Sequence, residues 1–322
     1  MFTVAAAGLA LTGVVVLLWL FRSRFGKKSP QWYYNSALED YEVKAFDLAA
    51  KKLEKAVAAD THFMDAYYNL GLVYLKQEKF EASRQCFETV LEAIPDDPTT
   101  IYHLAILDYK TSQLEKAQER LNFLFKKNVE DSDLNYLQGL LCEENAETEK
   151  AIESYQKALA LNDSNINAHI FLAKLLNETD QIDAAITHFK KALSYDENHI
   201  ELNYLLSTVL AKKSDWDEVI KHASIATQLD PNHARAFNQL GLAHYCLNQF
   251  NEAIAQYQSA IKIDKNYANA YNNLGFAYQK AEQLDAAVET FTAYLSKKGI
   301  TDDEKAETKA HLKALKENLA SQ

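Results

Sequence analysis

Tyrosine side chains recur at a fixed interval along the chain. A tyrosine ring combines a large contact area with a polar hydroxyl and loses little entropy when ordered, so it suits recognition of another molecule. Successive members of the series are 34 residues apart, except for one skipped interval before the last. They are Tyr34, Tyr68, Tyr102, Tyr136 and Tyr204. This spacing favours a binding surface built from a repeated element.

Asparagines occur in nearly the same register. A carboxamide pairs with both the donor and the acceptor of a peptide backbone, so these residues are candidates for gripping a bound segment. The alternative is that they are merely tolerated on a helix surface. The residues are Asn35, Asn69, Asn238, Asn272 and Asn273.

The sequence contains no motif that is typical of catalysis or of metal binding. It contains no G-x-G-x-x-G, P-loop, H-E-x-x-H or G-x-S-x-G motif. His199 and His233 share a register, but no third metal ligand accompanies them. We therefore predict no enzyme activity, no catalytic or metal-binding residues and no cofactor. Cys86, His188 and His222 also share a register, on a helix face that we expect to be outward and solvated.

The composition narrows the classes of partner and of fold. The 322 residues include 34 basic and 45 acidic side chains and only 8 Gly and 4 Pro. So few turn-forming residues disfavour an all-β protein. A net charge of −11 repels phosphate backbones, so we predict no nucleic-acid binding. Three unevenly spaced cysteines form no disulfide framework or zinc motif.

Residues 1–21 read as a membrane anchor. The stretch 2–21 carries no charge, and twenty helical residues span about 30 Å, the thickness of the hydrocarbon core. A cleaved signal peptide is the competing interpretation, but its usual basic start is missing. A basic juxtamembrane linker, 22–29, follows and contains Arg22, Arg24, Lys27 and Lys28. The positive-inside rule then predicts a single-pass protein with its N-terminus outside and the rest in the cytoplasm, in a bacterial inner membrane.

Residues 30–301 repeat a 34-residue pattern eight times without insertion or deletion. Units start at 30, 64, 98, 132, 166, 200, 234 and 268. Position 8 of a unit is always small, position 20 is usually Ala, and position 24 is usually large. Positions 4, 7, 8 and 11 share one helix face, and positions 20, 24 and 27 share a face of a second helix. Each unit is therefore a predicted helix–turn–helix that must stack on its neighbours. Residues 302–322 form a predicted cap helix that opens with a Thr301-x-x-Glu304 capping box.

The repeated pattern resembles the tetratricopeptide repeat (TPR) family. The resemblance covers 30–301 and is carried by YNLGLVY (68–74), FNQLGLAHY (237–245) and AYNNLGFAYQK (270–280). It implies an all-α, right-handed α-solenoid, here preceded by one transmembrane helix and closed by the cap helix. In that family the first helix of each repeat lines a concave groove that binds peptides.

The resemblance implies that positions 5, 9 and 12 face this groove. Position 5 carries all five tyrosines named above. Position 9 contributes Leu38 and Leu72, and position 12 adds Tyr41 and Tyr109. The alternative is that these side chains pack between neighbouring helices.

The predicted function is a membrane-anchored scaffold that binds peptide segments of partner proteins in a groove lined by tyrosine and leucine. Residues 2–21 would contact the lipid bilayer. The architecture also resembles bacterial lipopolysaccharide-assembly TPR regulators, although their rubredoxin-like cysteines are missing here. Such a scaffold would serve the assembly or regulation of envelope or membrane complexes. Two alternatives are an extracytoplasmic scaffold for polysaccharide export or pilus assembly, and an organelle import-receptor-like protein.

Overall fold

The computed structural model describes residues 28–321, and these divide between two compact units, Met1–Glu130 and Asp131–Gln322. The described residues contain 17 α-helices and no strand. The predicted anchor and the basic residues Arg22, Arg24 and Lys27 lie outside the described residues. Among 28–321, none of the helices combines the length and the apolar composition needed to cross a bilayer.

The first unit holds six helices, in which each helix packs on the next. They are α1 (Pro30–Glu42), α2 (Phe46–Ala59), α3 (Met64–Lys76), α4 (Phe80–Ala93), α5 (Pro98–Lys110) and α6 (Leu114–Lys126). Odd-numbered helices begin at position 1 of the 34-residue repeat and are called A helices here. Even-numbered helices begin at position 17 and are called B helices.

The second unit continues the same alternation and ends with one extra helix. Its helices are α7 (Ser132–Glu144), α8 (Thr148–Leu161), α9 (Ile166–Glu178), α10 (Ile182–Tyr195), α11 (Ile200–Lys212), α12 (Trp216–Leu229), α13 (Ala234–Cys246), α14 (Phe250–Ile263), α15 (Ala268–Lys280), α16 (Leu284–Tyr294) and α17 (Asp302–Ser321). Helix α17 packs on α16 and covers it with Leu312 and Leu315.

A small residue opposite a large ring sets the distance between the two helices of a repeat. A Cβ atom added to Gly71 would lie 2.7 Å from the Phe87 ring, and one added to Gly275 would lie 2.7 Å from the Phe291 ring. These rings are almost completely buried, and such burial stabilises the fold by about 1.5–3 kcal/mol for each ring. The predicted pairing of position 8 with position 24 is confirmed.

The helix starts follow two different rules. Most A helices are capped by the side chain at position 34, as where Ser29 Oγ accepts from Trp32 N at 3.1 Å. The B helices lack a side-chain cap, but most carry an acidic residue in the first turn, such as Asp47 in α2. The positive end of the helix dipole stabilises a negative charge at this place. The predicted capping box is confirmed, since Thr301 Oγ1 accepts from Glu304 N at 3.2 Å and Glu304 Oε2 accepts from Thr301 N at 2.8 Å.

Every turn from an A helix to a B helix contains one residue in the left-handed region. It occupies position 15, with φ between 56° and 61°, and in no repeat is it glycine. The residues are Lys44, Glu78, Ser112, Ala146, Asp180, Ser214, Asn248 and Glu282. Because this conformation disfavours residues with a Cβ atom, the turns hold some strain that the packed helices offset.

Candidate functional site

One face of the A helices in the first unit carries the predicted groove residues. Positions 5, 9 and 12 are four and three residues apart, so they lie on one side of each helix. We call this set the ladder: Tyr34, Leu38, Tyr41, Tyr68, Leu72, Leu75, Tyr102, Ile106 and Tyr109. All nine side chains are half-buried. The ladder therefore combines packing within the unit with an accessible surface of aromatic and aliphatic groups.

Two ladder tyrosines are hydrogen-bonded to side chains on the A helix of the next repeat. Asn69 Nδ2 donates to the Tyr34 hydroxyl at 3.1 Å, and the Tyr68 hydroxyl lies 3.3 Å from Nδ1 of His103. In both pairs position 5 of one repeat meets position 6 of the next. Tyr68 also packs against the Phe87 ring at a centroid distance of 5.8 Å. These contacts hold the rings in place, which lowers the entropy cost of binding another chain.

The second unit uses the same pair of positions with different side chains. Tyr136 packs edge-on against Phe171 at 5.7 Å between ring centroids. Tyr204 is an exception, because its ring packs against His233 at position 34 and Arg235 at position 2 of the next repeat. Asn273 Nδ2 donates to Asn238 Oδ1 at 3.0 Å.

The five asparagines thus have different surroundings. Asn238 is buried, Asn69, Asn272 and Asn273 are half-buried, and Asn35 is exposed. Three of them, Asn69, Asn238 and Asn273, bond to side chains of a neighbouring A helix.

Burial keeps the hydroxyls of Tyr34 and Tyr68 protonated. It raises the pKa of Tyr34 and Tyr68 in the first unit and of Tyr204 in the second. Neutral hydroxyls both donate and accept hydrogen bonds. The surface is thus suited to peptide groups and apolar side chains, and it offers no charge of its own along the first unit's ladder.

Comparison with known families identifies the repeat. Residues 65–97, 102–166 and 166–199 match family descriptions that read "Tetratricopeptide repeat", and residues 245–282 match one that reads "TPR repeat". The chain is built from tetratricopeptide repeats. No curated protein matches the whole sequence significantly.

Similar solved structures include two that are described as TPR proteins. YrrB, described as "a TPR protein with an unusual peptide-binding site", is 25% identical over 54% of this chain and 90% of its own, with a TM-score of 0.50. MamA is 26% identical over 54% of this chain and 96% of its own, with a TM-score of 0.48. The C-terminal part of a TPR repeat-containing protein from Cytophaga hutchinsonii covers 74% of this chain and 97% of its own at 13% identity and a TM-score of 0.58. The last likeness concerns the fold alone.

Side chains at position 23 of the repeat, which were predicted to face solvent, lie in the interior, and two of them form polar pairs. Cys86 and His222 are buried and His188 is half-buried, so the prediction that position 23 is solvated is wrong. The reason is that the side chain at position 23 packs over position 4 of its own repeat. His188 Nδ1 lies 2.9 Å from Nδ1 of His169, and His222 Nδ1 lies 2.8 Å from Asn203 Oδ1.

These histidines are held in the neutral form. Burial lowers the pKa of His169, and burial together with the neighbouring His169 ring lowers the pKa of His188. Burial and the nearby Lys221 ammonium lower the pKa of His222. In a pair of neutral imidazoles one nitrogen donates and the other accepts, so full protonation of both would break the contact.

In the first unit, buried or partly buried ion pairs involve the side chain at position 11. Asp108, at position 11, is completely buried between two arginines. Its Oδ1 is 2.7 Å from Arg84 Nη1, and its Oδ2 is 2.7 Å from Arg120 Nε. Asp40, also at position 11, pairs with Lys52 at position 23, with 2.7 Å between Oδ2 and Nζ. A sequence signal existed for two of these contacts, since Asp40 with Lys52 and Asp108 with Arg120 are pairs of opposite charge 12 residues apart.

The residues considered for metal binding or catalysis have structural surroundings. Nδ1 of His199 and Nδ1 of His233 accept helix N–H groups at 3.2 Å and 3.1 Å, so both histidines act as N-caps. Across residues 28–321 no group of three or more His, Cys, Asp or Glu side chains is arranged to hold a metal ion. Burial raises the pKa of Cys86 to about 12, which opposes a nucleophilic role.

Proposed function

We propose that this TPR protein is a membrane-anchored interaction scaffold whose first unit binds a peptide segment of a partner protein along the ladder. The observation that carries the proposal is the row of half-buried tyrosines with aliphatic side chains beside them on one helix face. TPR proteins bind protein or peptide partners, and the solved structure of YrrB is described by its peptide-binding site. The ladder presents the side-chain types that dominate binding energy at protein interfaces.

The chemistry of the ladder indicates the kind of segment that would bind. Leu38, Leu72 and Ile106 favour apolar side chains, while the tyrosine hydroxyls satisfy backbone groups at the edge of the contact. An amphipathic helix or an extended apolar segment has both features. Because the rings are already ordered by Asn69 and His103, binding would require little rearrangement.

The anchor and the topology are part of the proposal. Residues 2–21 would fasten the scaffold to a bacterial inner membrane, with the TPR units in the cytoplasm. Tethering raises the local concentration of the scaffold near membrane partners, so a modest affinity suffices. Alkaline phosphatase fused after Gln322 should be inactive in this topology. Activity of the fusion would instead support the extracytoplasmic alternative.

Binding is tested by removing two tyrosine rings of the ladder together. In a crosslinking pull-down from membranes, the double variant Tyr68→Ala and Tyr102→Ala should recover far less partner than the unmodified protein. Each lost ring removes contact area that a hot-spot residue would supply, worth about 2 kcal/mol in binding, or close to thirtyfold in affinity.

A matched double variant separates binding from folding. Tyr33 and Tyr67 sit at position 4, where they pack against the hydrophobic core of the first two repeats rather than on the ladder. The variant Tyr33→Ala and Tyr67→Ala loses two rings from the same unit and should keep its partner at temperatures where circular dichroism shows both proteins folded. Equal capture by the two double variants would contradict the proposed site.

A further inference from the structure

A cavity of about 380 Å³ lies in the second unit beside the cap helix. It is bordered by the last A helix, α15, by the last B helix, α16, and by α17. Its lining consists of Asn272, Phe276, Phe291, Tyr294, Glu304, Glu307, Thr308 and His311. Asn272 and Phe276 occupy positions 5 and 9 of the repeat, the positions that form the ladder in the first unit.

Three of the four rings that line this cavity pack against one another. Phe276 is 38% exposed, an unusual value for a phenylalanine within a packed repeat. Its ring packs against Phe291 at 5.1 Å and against His311 at 5.5 Å between centroids. His311 is fixed in turn, because its Nε2 donates to Gln279 Oε1 at 2.9 Å. The exposed phenylalanine surface is therefore rigidly held.

The charged groups in the lining are acidic. Glu304 and Glu307 are three residues apart, so they lie on the same face of α17. Hydrogen bonds from the backbone and the hydroxyl of Thr301 lower the pKa of Glu304, which stays ionised. Two lysines of this region contact other groups, Lys305 with Asp302 at 3.7 Å and Lys297 with the backbone oxygen of Lys265 at 2.8 Å.

One amide completes the lining. Asn272 is half-buried, and within the described residues its side chain makes no hydrogen bond. The equivalent residue one repeat earlier, Asn238, accepts a bond from Asn273. The amide of Asn272 thus offers both a donor and an acceptor to a molecule in the cavity.

We propose that this cavity binds the guanidinium group of an arginine in a partner's peptide segment. The aromatic surface of Phe276 attracts a planar cation, and the carboxylates of Glu304 and Glu307 accept its N–H groups. Arginine fits better than lysine because its flat, forked group can stack on a ring and bond a carboxylate at the same time. The inference rests on the proposed function, since it assumes that the bound molecule is a peptide, and it assigns the chemistry of one side chain.

The test uses a small probe and the full chain in detergent micelles. The probe is the blocked tripeptide acetyl-Ala-Arg-Ala-amide, with a citrulline analogue that has the same shape but no charge. Saturation-transfer NMR titrations give the dissociation constants. We expect the arginine probe to bind at least about tenfold more tightly than the citrulline probe, because it forms charge-assisted hydrogen bonds.

Two variants locate the interaction. Glu307→Gln should weaken binding of the arginine probe about tenfold, and Phe276→Leu should weaken it severalfold by removing the aromatic face. The matched control is Glu317→Gln, which makes the same change of charge on the same helix but outside this cavity. It should change the affinity less than twofold. Circular dichroism should show all three variants folded, since Glu307 and Glu317 are exposed.

Different outcomes identify which proposal fails. Equal affinity for the two probes, or equal effects of Glu307→Gln and Glu317→Gln, would overturn the arginine cavity. If partner capture still depends on Tyr68 and Tyr102 in that case, the proposed scaffold function stands. If capture does not depend on them but the probe binds as expected, the cavity is real and the ladder assignment is wrong.

Discussion

The two compact units use one repeat pattern but fill its polar interior positions differently. In two repeats of the first unit the side chains at positions 11 and 23 are oppositely charged, as where Asp108 pairs with Arg120. In two repeats of the second unit the polar pair instead joins positions 4 and 23, and each pair contains a neutral histidine. His188 lies against His169, and His222 lies against Asn203.

This difference shows that a polar side chain can be buried at position 23 when a second polar side chain of the same repeat pairs with it. Both solutions satisfy a buried polar group, but they respond differently to acid. Arginine stays protonated at all accessible pH values. Imidazole changes charge near neutrality, so the buried histidine pairs of the second unit are expected to lose stability in mildly acidic solution.

The largest effect should come from breaking the ionic cluster. Asp108→Ala leaves two partly buried arginines without their carboxylate, and removing one partner of a buried ion cluster costs about 3–5 kcal/mol. Long repeat arrays do not unfold in one step, so regional hydrogen exchange is the suitable measurement. Amides of α4–α6 should lose protection by at least about a hundredfold.

A variant that also removes one negative charge, but from the surface, serves as the control. Glu88→Ala removes an exposed carboxylate from α4, and it should leave protection in the first unit nearly unchanged. Equal losses in the two variants would mean that Asp108 is no more important than a surface acid. The second unit should keep its protection in both cases, because the cluster lies wholly within the first.

Lowering the pH should produce a moderate effect in the opposite unit. His169, His188 and His222 have pKa values below their ordinary 6.5 in the folded protein. The unfolded chain therefore binds protons more readily, and stability falls as the pH drops below about 6.5. Between pH 7.5 and 5.5, amides of α9–α12 should lose protection relative to those of α5 and α6, after correction for intrinsic exchange.

The variant His188→Gln sharpens this prediction. Glutamine keeps a donor and an acceptor for His169 but cannot take up a proton. The pH dependence of protection in α9 and α10 should shrink in the variant, while that in α11 and α12, near His222, should persist. Uniform loss of protection over both units on acidification would refute the link to these histidines.

The smallest effect should be the same in both units. Ser112 and Ala146 each occupy position 15 with φ near 57°, and glycine adopts this conformation without a Cβ clash. Ser112→Gly and Ala146→Gly should each stabilise their unit by about 0.5–1 kcal/mol. Asn248→Gly should gain less, because asparagine tolerates the left-handed region. A clear difference between Ser112→Gly and Ala146→Gly would show that the turns are not equivalent.

Much of the fold could be predicted from the sequence because its signals are local and repeated. The spacing of small and large residues predicts the contact of Gly71 with Phe87, and Thr301 with Glu304 predicts the start of α17. These features depend on helix periodicity and capping, which short stretches of sequence determine.

The polar pairs and the cavity could not be predicted from the sequence in the same way. The burial of a polar side chain at position 23 depends on its partner at position 4 of the same repeat, as where His188 contacts His169 and His222 contacts Asn203. Likewise, Phe276 meets Glu304, Glu307 and His311 only because α17 packs at the end of the second unit. Such contacts depend on the packing of separate helices, which the residue types alone do not specify.

The most direct test of the account is site-specific photocrosslinking within the first unit. Benzoylphenylalanine replaces Tyr102 on the ladder in one protein and Ile94, an apolar residue in the α4–α5 connection that is 49% exposed, in the other. Irradiation of membranes should give a defined partner adduct from position 102 and none from position 94. Adducts of equal yield at both positions, or at position 94 alone, would contradict binding along the ladder.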